Sequence, residues 1–180
     1  MAKIGINAAF LDEGLKARIN AATSAYGHEV VYFENDEEAL QGSDGCEILF
    51  GNFKPEAITA DKALKWLHCS FAGVDKFTSD DIYANPDVIV TNSAGGYGVT
   101  IAEHMICVAL MMMRRMPEYM AQTAKHGWGI IGEIDSIMRS TITIVGMGDI
   151  GSAFGRKMKA LGCRTIGIRR RVGEKPAWID

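Results

Sequence analysis

"TITIVGMGDIGSAFGRKMKALGCRTIGI" (residues 141–168) decides how this chain is read. The β-branched run TITIV ends in Gly146, and Gly148 and Gly151 complete the spacing G-x-G-x-x-G. SAFGRKMKALG then reads as a helix and CRTIGI as a second strand, which makes one β-α-β unit. In such a unit the first glycine turns off the strand, the second admits close approach of a diphosphate, and the third lets helix and sheet touch. The helix start offers free amides and the positive end of its dipole. The cofactor-binding candidates are therefore Gly146, Gly148, Asp149, Ile150 and Gly151. A second match, GWGIIG at 127–132, has no strand before it and no helix after it, and reads as linker.

The residue ending the second strand tests which dinucleotide fits. An Asp or Glu there accepts from the ribose hydroxyls of NAD. This chain has Arg169, Arg170 and Arg171, and guanidinium groups pair instead with a 2′-phosphate. NADP is expected, with NAD left open.

Upstream, short apolar runs alternate with helical stretches. The strand-like runs are KIGINAAF (3–10), EVVYFE (29–34), EILFG (47–51), LKWLHCS (64–70) and DVIVTNS (87–93). A helix lies between the first two, opened by Asp12 and closed by Gly27. Strand–helix alternation at this spacing predicts a parallel sheet covered by helices on both faces. No phosphate-type glycine loop follows its first strand. GGYGVTIAEHMICVALMMMRRM (95–116) reads as one helix, apolar on two stripes and so buried between two bodies, with irregular chain over 117–140. Its methionines read as packing, and Glu103, His104 and Cys107, lacking a second ligand cluster, are not taken as a metal site.

The 180 residues are 48% hydrophobic and 23% charged, the balance of a soluble globular protein. Four cysteines without a C-x-x-C pair and an N-terminus that enters a strand at once point to a reduced, cytoplasmic protein without a secretory leader. The apolar run MICVALMMM is too short for a bilayer, so no membrane partner is expected. Residues 151–175 hold eight bases against one acid, but no aromatics interleave with them, and the net charge is −3. No nucleic-acid partner is expected.

Four stretches together resemble the D-isomer-specific 2-hydroxyacid dehydrogenases, the family of glyoxylate/hydroxypyruvate reductases and phosphoglycerate dehydrogenase. They are LKWLHCSFAGVDKF, VIVTNSAGGYGVTIAEHM, the GW at 127–128, and TITIVGMGDIGSAFGRKMKALGCRTIGIRRR, in the family's order over most of 60–171. The resemblance implies an α/β fold: a flavodoxin-like substrate domain over 1–96, then an interdomain helix and the first β-α-β unit of a Rossmann domain over 97–180, truncated. It implies hydride transfer between NAD(P)H and a small 2-oxo or 2-hydroxy acid. It places the substrate carboxylate on the backbone of Ala72, Gly73 and Val74, and Ser93 on the nicotinamide side.

The family's Arg, Glu and His lie past the second strand, and His28, His68, His104 and His126 all precede the glycine turn. No catalytic residue is assigned, and the 180 residues alone are expected to be inactive. The other reading is a non-catalytic nucleotide- or metabolite-binding module or assembly partner. An uncovered sheet edge and helix face of roughly 400 Å² would forgo about 10 kcal/mol of burial. That predicts a homodimer, by pairing with a second copy or exchanging elements with it, or poor order over 141–170.

Overall fold

A computed structural model describes residues 1–59 and 61–180. The chain is α/β and divides into two compact units, Met1–Ala94 and Gly95–Asp180. Among the described residues no helix is long and apolar enough to cross a membrane.

The first unit is a five-stranded parallel sheet of β1 (Lys3–Asn7), β2 (Glu29–Tyr32), β3 (Ile48–Gly51), β4 (Trp66–Cys69) and β5 (Ile89–Asn92), in the order β2-β1-β3-β4-β5. Period-two alternation sends Leu49, Leu67 and Cys69 into a core with Phe33, Phe53, Ile58, Leu64 and Phe77. Register sets Phe50, His68 and Thr91 side by side in one row across β3, β4 and β5. Helix α1 (Glu13–Ser24) starts where Asp12 accepts from the Leu15 amide at 2.8 Å. Helix α2 (Asp36–Gly42) is capped by Asn35, and Glu38 reaches back to the Glu34 amide at 2.9 Å.

The expectation of helices on both faces holds only for these first connections. The β3–β4 and β4–β5 connections carry short 3-10 turns, Pro55–Ala57, Asp75–Phe77 and Asp80–Ile82. Phe53, Ala57, Ile58 and Leu64 plug the core from the β3–β4 connection.

The second unit contains α3 (Gly98–Met113), α4 (Met116–Thr123), β6 (Thr141–Val145), α5 (Asp149–Ala160) and β7 (Arg164–Ile168). Strands β6 and β7 run parallel, and Ala102, Ile106 and Met113 of α3 join Ile144, Ala153, Phe154 and Met158 in its core. Two sequence expectations change here. The long helix breaks, because the Pro117 ring cannot lie within a continuing helix. Arg115 turns left-handed (φ 54°), and α4 restarts with the proline at its N-terminal end, where no donor is needed. Residues 117–140 are thus helical at first. The tyrosine of α4 then accepts from the Ile131 amide at 3.1 Å, holding GWGIIG, which has neither strand nor helix about it.

The predicted open edge of β7 is also partly closed. Residues 176–180 return to it: the Thr165 and Asp180 amides donate to the Asp180 carboxylate (2.7 Å) and the Thr165 carbonyl (2.9 Å) respectively. Trp178 lies against Gly155 so closely that a Cβ there would collide with the indole. Lys159 pairs with the Asp180 carboxylate and, with the Thr165 amide, holds its pKa down at about 2. Three thiols, Cys46, Cys69 and Cys163, are buried, and burial pushes each of them up; Cys107 on α3 is exposed.

Candidate functional site

The glycine turn assembles as the spacing demands. Gly146 leaves β6 with φ +95°, a conformation an L side chain resists. Around Gly148 nothing lies within 4 Å of where a Cβ would stand, so its backbone is open to a ligand. At Gly151 a Cβ would collide with the Gly146 carbonyl, so only glycine lets α5 come this close to the turn. No side chain caps α5, leaving its first-turn amides, those of Asp149, Ile150 and Gly151, for an anion. The Asp149 carboxylate is drawn aside against Gly98, at the start of α3.

At the end of β7, Arg169, Arg170 and Arg171 are all exposed. Arg169 Nη2 donates to the Glu174 carbonyl at 2.8 Å, which curls 169–174 into a basic loop. Turn and arginines lie beyond the C-terminal ends of β6 and β7, where open parallel sheets bind ligands.

In the first unit, Ala72 and Gly73 are exposed and Val74 half-buried. Asn92 Nδ2 donates to the Ala72 carbonyl at 2.7 Å, and the Ser93 amide to the Phe71 carbonyl at 3.2 Å. The structure therefore brings the Ala72–Val74 loop and Ser93 to one edge. Gly73 opens onto a cavity of about 620 Å³ that also meets Asn52, Lys54, Phe71 and Lys76.

Beside it a cleft of about 910 Å³ lies over the C-terminal ends of β1 and β3, the point where strand order reverses. Sequence reasoning missed its polar floor. Asn7 Nδ2 donates to the Asn52 carbonyl (2.7 Å) and to Asp36 (3.3 Å), and Lys54 Nζ sits 3.1 Å from Asp36. Lys54 and Asn7 hold the Asp36 carboxyl below its usual range. No motif announces these residues; only the sheet topology joins them.

Comparison with known proteins follows the same division. Residues 106–177 match the NAD-binding domain of D-isomer specific 2-hydroxyacid dehydrogenases. A D-lactate dehydrogenase from Staphylococcus epidermidis is 26% identical over 159 residues, 86% of this chain and 47% of that protein. D-3-phosphoglycerate dehydrogenase from Bacillus subtilis is 29% identical over 101 residues, covering 56% of this chain and 19% of its own length. The chain thus spans about half the length of the D-lactate dehydrogenase it matches. Among solved structures, a D-isomer specific 2-hydroxyacid dehydrogenase family protein from Aeromonas salmonicida superposes with TM-score 0.82 at 22% identity, covering 99% of this chain and 56% of that one. The NADPH-dependent glyoxylate/hydroxypyruvate reductase of Sinorhizobium meliloti, solved with NADP and sulfate, superposes with TM-score 0.75 at 23% identity, covering 100% and 56%. At such identities the solved structures establish the fold. The family match over residues 106–177, the named relatives and the shared fold all make this chain similar to the D-isomer specific 2-hydroxyacid dehydrogenases, with residues 106–177 of their NAD-binding domain type.

Proposed function

We propose that the chain binds NADPH at Gly146–Gly151 and serves the reduction of a small 2-oxo acid, such as glyoxylate or hydroxypyruvate. The observation that carries this is the glycine turn: three glycines, each needed for a different geometric reason, before a helix without a side-chain cap. Bound there, NADPH supplies the hydride. The first-turn amides of α5 hold its diphosphate, and Arg169, Arg170 and Arg171 receive the 2′-phosphate. The amides of Ala72, Gly73 and Val74 hold the substrate carboxylate, with Ser93 on the cofactor side.

We place the protein in the cytoplasm as a homodimer. Val99, Met105, Val108 and Met112 on α3 are exposed, with Met116 and Met120 on α4, and support self-association. Light scattering that shows only monomer at micromolar concentration would remove the dimer.

A second reading, a nucleotide-binding module without turnover, is favoured by the histidines. His28 accepts from the Ala2 amide at 3.1 Å, His68 is tied between strands, and His104 and His126 are exposed. On this reading the 180 residues bind cofactor without supplying the proton that ketone reduction needs.

Calorimetric titration tests the cofactor assignment. Wild-type chain should bind NADPH more tightly than NADH, and R169A/R170A/R171A should lose about ten- to a hundredfold for NADPH with little change for NADH. Equal affinities in the wild type would overturn NADP selection. NADPH oxidation with glyoxylate by these 180 residues separates the enzyme from the module.

A further inference from the structure

Trp66, His68, Thr91 and Ser93 form a chain of hydrogen bonds that runs along β4 and β5, from the start of β4 to the residue after β5. Trp66 Nε1 lies 2.8 Å from Thr91 Oγ1, and Thr91 Oγ1 lies 2.8 Å from His68 Nδ1. His68 Nε2 lies 3.4 Å from Ser93 Oγ, which lies 3.3 Å from the Cys69 carbonyl. The imidazole is fixed in plane: its ring stacks on Phe50 with centroids 5.3 Å apart at an interplanar angle of 1°, and Trp66 meets it edge-on at 6.3 Å.

The two ends of the chain set its polarity. An indole N–H only donates, and a carbonyl oxygen only accepts. Thr91 Oγ1 therefore accepts from Trp66, and its one proton goes to His68 Nδ1. The imidazole proton must then sit on Nε2, which donates to Ser93 Oγ, and the Ser93 proton goes to the Cys69 carbonyl. In the opposite tautomer the Thr91 proton has no acceptor among these contacts. Each donor finds a partner in only one arrangement.

We propose that His68 is a positioning residue, set in its Nε2–H tautomer, and that it fixes the Ser93 hydroxyl as a hydrogen-bond acceptor for an N–H or O–H group of a bound ligand. Ser93 Oγ has its proton turned back to the strand and receives one from His68, so its remaining lone pair is what a ligand meets. The hydroxyl stands one residue before the end of the first unit at Ala94 and two before Gly95, whose φ is +89°. The ligand part of this proposal rests on the reading that Ser93 takes part in cofactor binding.

The relay is tested on the wild-type chain by a long-range ¹H–¹⁵N spectrum of His68 near neutral pH. The expected pattern is a protonated Nε2 and a bare Nδ1; a protonated Nδ1 overturns the proposal. The ligand role is tested by NADPH titration of S93A, H68F and the double variant. H68F keeps the ring stack and removes both nitrogens. Each single change should weaken NADPH by about three- to tenfold, the double should add nothing, and H68Q, which restores a donor near the Nε2 position, should recover part of the loss. Additive losses, or none, overturn the positioning role. If wild-type chain fails to bind NADPH, the cofactor reading falls instead. The relay is then judged by the tautomer and by exchange of the Trp66 indole proton, which H68F should speed several-fold. If H68F does not fold, H68Q alone decides: NADPH affinity nearer wild type than S93A supports the relay, and a loss equal to S93A overturns it.

Discussion

At Gly148 and Gly151 one methyl group has two different consequences. A Cβ at Gly148 enters open space, so Gly148→Val should leave the melting temperature within a few degrees and weaken NADPH at least tenfold, because the side chain stands where the diphosphate would approach. A Cβ at Gly151 meets the Gly146 carbonyl, which is backbone and cannot swing away. Gly151→Ala should therefore destabilise the second unit by about 1–3 kcal/mol. Thermal melts and calorimetric titration of the two variants check this pair. A Gly148→Val chain that binds like wild type would refute the turn as the diphosphate site.

The elements divide by what their boundaries depend on. Strands β1 to β5 were legible because β-branched and apolar residues cluster in short runs between polar breaks, and Asp12 and Gly27 marked α1 by local chemistry. The turn at Gly146–Gly151 was legible for the same reason: its signals lie within a few residues. The break before α4 was written in Pro117 but was hidden by the continuous run of methionines. The return of 176–180 was not legible, since Trp178 finds Gly155 and Asp180 finds Lys159 and Thr165 only in three dimensions. The floor of Asn7, Asp36, Asn52 and Lys54 was hidden likewise.

The returning segment carries a pH prediction. An ordinary aspartate titrates near pH 3.9, so a carboxylate held at about 2 stabilises the fold above about pH 4 and loses that contribution as pH falls towards 2. In a W66F/W128F background, Trp178 emission should move to the red across that window, and D180N should show the red-shifted emission already at pH 7. A D180N spectrum identical to the parent would dismiss the carboxylate as the tether.

At the scale of the whole molecule, each unit has its own buried cluster: one around Leu49 and Leu67, the other around Ile144 and Met158. The first unit closes with five strands, whereas the second has two, with α3 and residues 176–180 filling in around them. A ligand that binds only the folded second unit stabilises it by mass action. The distribution of thiols turns this difference into a clock. A maleimide or disulfide reagent added to native chain should consume Cys107 in one rapid phase, since the other three are buried. The rest should follow only as their surroundings open, Cys46 and Cys69 timing the first unit and Cys163 the second. NADPH at a hundred times its dissociation constant should slow Cys163 labelling about a hundredfold and Cys46 and Cys69 labelling by no more than the roughly three- to tenfold that Ser93 contributes, as mass spectrometry of labelled peptides would show. Four thiols, three packed in cores and one at the surface, thus give the chain an internal record of which half breathes and which half a bound nucleotide would hold shut.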